Sequence, residues 1–182
     1  FTQTGQRMRE IADIVRMIQR REHLTYKGEV YELPLPGGQG KALRITAPEV
    51  DPIPIYLATL TPAGLRLTGE IGDGWVGTSF IDHIAQGAAT AGRTLADIDL
   101  GAGGSVEFGD DVDKLVAARK PGLAFTLGAM GSRTTNFYNA AYRRSGYDEA
   151  AREVQALWID GDRDAAIARV PDDMILAGSM IG

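Results

Sequence analysis

Ile53-Pro54-Ile55-Tyr56-Leu57-Ala58 is an apolar run; Thr61-Pro62 follows, then helical spacing to about Ile71, Gly72, and Gly74-Trp75-Val76-Gly77. A run of this kind suits a strand buried on both faces, as strands of parallel sheets are. Thr at the capping position with Pro at the first helical position is a helix start. Gly74 to Gly77 then reads as a short second strand. The alternation continues outward, with a helix from about Asp82 to Ala91 and a glycine-rich third strand over Leu100 to Phe108. Asp110-Asp111 opens another helix through Arg119, which Pro121 interrupts before Leu123 to Ala129. Strand-helix alternation predicts an α/β fold with a parallel sheet and crossover helices.

Upstream, Met8, Ile11, Ile14 or Val15, and Ile18 recur at steps of three and four, so Gln6 to Arg20 reads as an amphipathic helix with Thr4 as its cap. Residues 24–52 read as a surface excursion. Leu24 to Tyr26 and Val30 to Leu33 form a hairpin around Lys27-Gly28, and Lys41 to Thr46 forms a further short strand. From Asn136 onward the pattern is helical, punctuated by Gly146 and Gly161. A length of 182 residues fits one domain, residues 1–182. Three strand-helix units do not close a (β/α)8 barrel, which takes eight and about 250 residues. The units are therefore either the C-terminal part of such a barrel or a small doubly wound sheet. The chain starts at Phe1 without a Met and reads as a piece of a longer protein.

Composition narrows the function classes. The net charge of −5, from 24 acidic and 19 basic residues, argues against nucleic-acid and anionic-membrane surfaces. With no cysteine and two histidines, disulfides, thiolate nucleophiles and multi-histidine metal sites are excluded. Nothing resembles a signal peptide or the ~20 apolar residues of a membrane span, so a cytoplasmic location is expected. The 23 glycines exceed the usual share of roughly 7% and mark tight turns. Exposed sheet edges are expected to drive self-association into a homo-oligomer such as a dimer.

The residues with the best chemical prospects are Ala58-Thr59-Leu60-Thr61-Pro62-Ala63-Gly64. They join the C-terminal end of a parallel strand to a helix N-terminus, the edge at which α/β proteins bind ligands. Outward amides and the helix dipole there favour an anion, although Pro62 gives up one donor and no Lys or Arg stands within the turn. Thr61 is thus either a phosphate ligand or a plain cap. Gly77-Thr78-Ser79 ends the next strand at the same edge, so Thr78 and Ser79 either extend a rim of hydroxyls or punctuate a loop. His23 and His83 lack triad partners, and Asp110, Asp111 and Asp113 suit a first helical turn better than a metal. Trp75 reads as a core aromatic, and Trp158 and Asn136-Phe137-Tyr138 as packing or subunit contacts.

These residues also carry a resemblance. Ile55 to Pro62 followed by Leu67-Thr68-Gly69-Glu70-Ile71-Gly72-Asp73-Gly74-Trp75 resembles the bacterial luciferase-like superfamily. Gly77-Thr78-Ser79-Phe80, Lys120 to Gly131, Asn136-Phe137-Tyr138-Asn139 and Val170 to Met174 resemble its branch that uses the deazaflavin coenzyme F420. The resemblance implies a TIM-like barrel of which this chain is the C-terminal part, with about three parallel strands and extra C-terminal helices. It implies an oxidoreductase that moves a hydride to or from a small-molecule substrate. The cofactor's phosphate-bearing tail would meet Thr59, Leu60, Thr61, Ala63 and Gly64, with Thr78 near the tail or the substrate. Many relatives have glycine at Leu60 and Thr61 and a basic residue at Ala63, which leaves FMN, as in the monooxygenases, an alternative to F420. The family's ring-contacting and catalytic residues come mainly from its first four strands, so no catalytic residue is named. A catalytically silent half-barrel is the third reading.

Overall fold

The computed structural model describes residues 3–38, 40–48, 51–77, 81–102 and 104–181. They form two compact units. The first contains α1 (Thr4–Gln19), the hairpin β1 (Tyr26–Lys27) and β2 (Glu32–Leu33), β3 (Tyr56–Leu57), α2 (Pro62–Ile71) and α3 (Asp82–Thr90). It also holds the first residues of β4 (Gly74–Gly77) and β5 (Asp99–Ala102), and the three strands pair in the order β3-β4-β5. β3 and β4 are parallel, with Tyr56 opposite Gly74 and Leu57 opposite Trp75. The expected strand-helix alternation is therefore present.

β3 is shorter and less covered than expected: Ile53 is 64% and Tyr56 41% exposed. It is an edge strand among the described residues, and one face of its apolar run has a protein partner. That face, with Ile55 and Leu57, packs on Ala12, Leu67 and Ile71. α2 and α3 approach closely because Gly69 and Gly87 carry no side chains. A Cβ at Gly87 would overlap the Arg66 carbonyl, and one at Gly69 the Ile84 carbonyl.

At the start of α1, Gln3 stands in the left-handed region at φ 61° without a side-chain cap bond, and Thr4 is already helical. Thr4 therefore opens the helix and does not cap it, because a cap needs a non-helical backbone. The hairpin lies where expected, although Lys27 belongs to β1 and the turn spans Gly28 to Tyr31. Lys41 to Thr46 is not a strand; one backbone bond, from the Leu24 amide to the Leu43 carbonyl, ties it down. What holds the hairpin is Glu10, 1% exposed. Its carboxylate accepts the amides of Glu29 at 2.7 Å, Val30 at 3.1 Å and Tyr31 at 2.8 Å, and the Gln6 side-chain amide. Gly28 makes room, since a Cβ there would strike that carboxylate.

The second unit contains the turn Ala58–Thr61, the ends of β4 and β5, and β6 (Ser105–Glu107), α4 (Val112–Ala129), α5 (Phe137–Tyr142), α6 (Asp148–Ile159), α7 (Arg163–Ala168), α8 (Asp172–Leu176) and β7 (Ser179–Ile181). The single strand expected over Leu100 to Phe108 is two: β6 leaves the sheet and pairs in parallel with β7, an element the helical reading of the C-terminus omitted. A glycine-rich stretch has little side-chain surface to keep it on one sheet. α4 runs through Pro121 without interruption. Losing the bond to the Ala117 carbonyl costs about 3 kcal/mol, which burial of Val116, Ala124 and Leu127 offsets at up to roughly 1.5–3 kcal/mol for each large side chain. Gly146 and Gly161, at φ 97° and 91°, end their helices as expected. Among the described residues no helix is long and apolar enough to cross a membrane.

Two buried amides tie this unit together. Asn136 caps α5 by accepting the Asn139 amide at 3.0 Å and donates to the Thr126 and Leu127 carbonyls. Asn139, 2% exposed, donates to the carbonyls of Leu127 at 3.1 Å and Ala151 at 2.7 Å, linking α4 to α6. Replacing Asn139 by Ala is expected to cost about 1–3 kcal/mol in a urea melt, the loss of two buried side-chain hydrogen bonds that link α4 to α6. Burial alone would push the Glu10 carboxyl up, but the bonds from Gln6 and the hairpin amides outweigh it and hold its pKa below the ordinary value. The stability it contributes is present above the unfolded-state pKa and is lost as pH falls through the folded one. Glu10→Gln is therefore expected to melt lower than the parent at neutral pH and to show a shallower loss of Tm on acidification.

Candidate functional site

Because β3 and β4 are parallel and in register, their C-terminal ends lie at the same edge of the sheet. This is the arrangement on which the anion-site reading depends. In the turn after β3, Ala58–Thr61, Thr59 and Leu60 are half-buried and Thr61 is exposed. Thr61 precedes Pro62, so it occupies the capping position of α2 as read from the sequence. Ala63, exposed, and Gly64, half-buried, form the first turn of α2, where the Gly64 carbonyl accepts the Thr68 hydroxyl at 3.0 Å. Thr78 and Ser79 lie outside the described residues.

The turn has a cation that sequence reading missed. Arg144, in the irregular turn Arg143–Tyr147, donates from Nη2 to the Leu60 carbonyl at 2.9 Å. Eighty-four residues separate the two, so no local spacing could signal the contact. The nearer candidate, Arg66, turns away and donates to the Gln86 side chain at 3.1 Å. Arg144 has no carboxylate partner among the described residues, which leaves its charge uncompensated beside the strand end.

The other end of this strand-helix-strand unit is held by charge. Asp73 accepts the Ile55 amide at 2.8 Å, and the Asp73 and Gly74 amides return to the Ile55 carbonyl. Arg16 donates to the Ile71 carbonyl at 2.6 Å and to Asp73 at 3.2 Å. Arg93 donates to the Gly72 carbonyl at 2.8 Å. These guanidiniums satisfy the C-terminal carbonyls of α2, which have no partners within the helix. Gly72-Asp73-Gly74-Trp75 is thus a brace, with Trp75 1% exposed as the expected core aromatic.

The remaining sequence candidates are accounted for locally. Asp111 caps α4 by accepting the Lys114 amide at 3.0 Å. His83 lies 3.3 Å from the Gln86 side-chain oxygen, and His23 is exposed near the Ala42 carbonyl. Trp158 meets the edge of Phe125 at 5.8 Å between centroids and carries Arg163 over its face at 3.9 Å. Among the described residues no cluster of three His, Asp or Glu side chains could hold a metal.

Residues 1–182 match the luciferase-like monooxygenase family. A Mycobacterium tuberculosis protein, provisionally named a coenzyme F420-dependent oxidoreductase, is 36% identical over 192 aligned residues, which cover 97% of this chain and 55% of that protein. The 5,10-methylenetetrahydromethanopterin reductase of Methanopyrus kandleri is 33% identical over 139 residues, 71% of this chain and 38% of the reductase. The solved structure of the coenzyme F420 dependent tetrahydromethanopterin reductase from Methanopyrus kandleri superposes with a TM-score of 0.63 at 24% identity, over 96% of this chain and 50% of that one. That likeness shows a shared α/β fold. The chain spans about half the length, or less, of these relatives.

Asp73→Ala should lower stability by about 1.5–3 kcal/mol, the worth of a hydrogen bond to a charged group. Amide exchange should accelerate at Ile55 while the amides of α6 stay protected.

Proposed function

The chain belongs to the luciferase-like monooxygenase family, and on that premise we propose that it is the C-terminal half of a (β/α)8 barrel in an oxidoreductase dependent on coenzyme F420. The Mycobacterium tuberculosis relative named for F420 supports the cofactor, and the length of the relatives, about twice that of this chain, supports the half-barrel. Coenzyme F420, when bound, supplies hydride transfer from its reduced deazaflavin ring. This chain's part is to hold the anionic tail.

The observation that carries the reading is the turn after β3 with the Arg144 guanidinium bonded to its Leu60 carbonyl. Hydroxyls of Thr59 and Thr61, the first-turn residues Ala63 and Gly64, and a fixed cation are the donor types that a phosphodiester requires. The residues present therefore fit the group. Arg144 supplies the turn with a charge that its own residues lack.

A second reading has its own support: the family is described by its monooxygenases, which accords with reduced FMN and oxygen. The absorption spectrum of copurified cofactor separates the two. For the anchoring role, equilibrium dialysis of F420 against the intact protein is the test. Thr61→Glu and Arg144→Glu are each expected to weaken binding by about tenfold or more through like-charge repulsion of the tail. Unchanged affinity in both variants overturns the anchor.

A further inference from the structure

α6 has two distinct faces. Ala150, Ala151 and Val154 are buried in the core of their unit, whereas Arg152, Gln155, Ala156 and Ile159, at helical positions i, i+3, i+4 and i+7, form a stripe. That stripe, with Arg133, Arg143 and Asp160, lines a cavity of about 340 Å3. A smaller cavity of about 180 Å3, lined by Thr134, Thr135 and Asn136, shares Arg143 and Gln155 with it.

Three arginines therefore line one cavity whose lining includes a single carboxylate, Asp160. Like charges left to themselves splay into solvent, so something must hold these together. Asp148 does so. One of its oxygens accepts the Nε–H of Arg143 at 2.6 Å and the other the Nε–H of Arg152 at 2.9 Å. The hydrogen bonds from Arg143 and Arg152 also hold the Asp148 carboxyl below its ordinary pKa, so the clamp stays charged. Because both arginines are gripped at Nε, their terminal Nη groups keep their donors, and among the described residues no acceptor takes them. Arg133 has no carboxylate partner among the described residues either. Guanidinium forks oriented in advance and left with open donors are suited to bidentate capture of an oxyanion.

We propose that this cavity is a binding site for a small phosphate-bearing anion, taken by the Nη groups of Arg143 and Arg152 and by Arg133. Gln155 adds a neutral donor, and Asp160 suits a hydroxyl on the same ligand. The size admits a phosphate ester or a diphosphate. The site is independent of the turn after β3, since neighbouring Arg144 is committed to the Leu60 carbonyl.

Isothermal titration of the intact protein with inorganic pyrophosphate tests this. Arg133→Gln with Arg152→Gln is expected to weaken the affinity by about tenfold or more. Arg20→Gln with Arg66→Gln, which removes the same charge from other elements, should leave it within about twofold. Circular dichroism melts establish that both double variants fold. No uptake by the parent, equal affinity in the first double variant, or equal weakening in both overturns the proposal. F420 dialysis of the first double variant should match the parent, so failure here and failure of the anchoring turn read out separately.

Discussion

The carboxylate of Asp73 accepts the Ile55 amide while the backbone behind it bonds the Ile55 carbonyl, so the entry to β4 is stitched to the entry to β3 at both polar groups of one residue. From this stitch the rest of the first unit follows. It sets the parallel register of Tyr56 with Gly74 and Leu57 with Trp75. It leaves room for Gly74 alone under the Tyr56 ring, because a Cβ there would collide with it. It also draws Arg16 into place, where the guanidinium serves Asp73 and the Ile71 carbonyl together. A parallel pair needs a crossover of a dozen or more residues, and this brace fixes where that crossover rejoins the sheet.

Arginine closes backbone oxygens at several points of this chain. Arg16 and Arg93 close the C-terminus of α2, and Arg144 fastens the Leu60 carbonyl. In each case the guanidinium comes from an element distant in sequence. Helix ends and strand ends leave carbonyls without partners, and a planar fork on a long stem reaches them without ordering more backbone. At α2 the donors are consumed by the fold. At the turn after β3, and more so in the cavity beside α6, some remain for a ligand. That difference separates the structural arginines from those with a proposed role.

Local chemistry made much of the architecture legible. Thr61-Pro62 marked the start of α2, and the left-handed Gly146 and Gly161 marked helix ends. Failures fell where tertiary packing outweighed local preference. Pro121 did not break α4, because the buried face around Ala124 and Leu127 outweighs one lost hydrogen bond. The glycine-rich third strand divided because Ser105 to Glu107 had a partner, Ser179 to Ile181, that no local pattern announced. Asn136-Phe137-Tyr138 reads as packing or a subunit contact, but Asn136, like Asn139, is a hydrogen-bond hub, and only the carbonyls of Thr126, Leu127 and Ala151 around them reveal it.

By itself, the amino-acid sequence determined the α/β class, the strand-to-helix turn at Thr59 to Gly64 and the exclusion of cysteine and multi-histidine chemistry, because each rests on residue type and short-range periodicity. Tertiary structure decided which cations stand beside that turn, which carboxylate orients Arg143 and Arg152, and that Glu10 is buried among hairpin amides. Those are contacts between groups far apart along the chain, and a charge takes its meaning from the neighbour that folding brings to it.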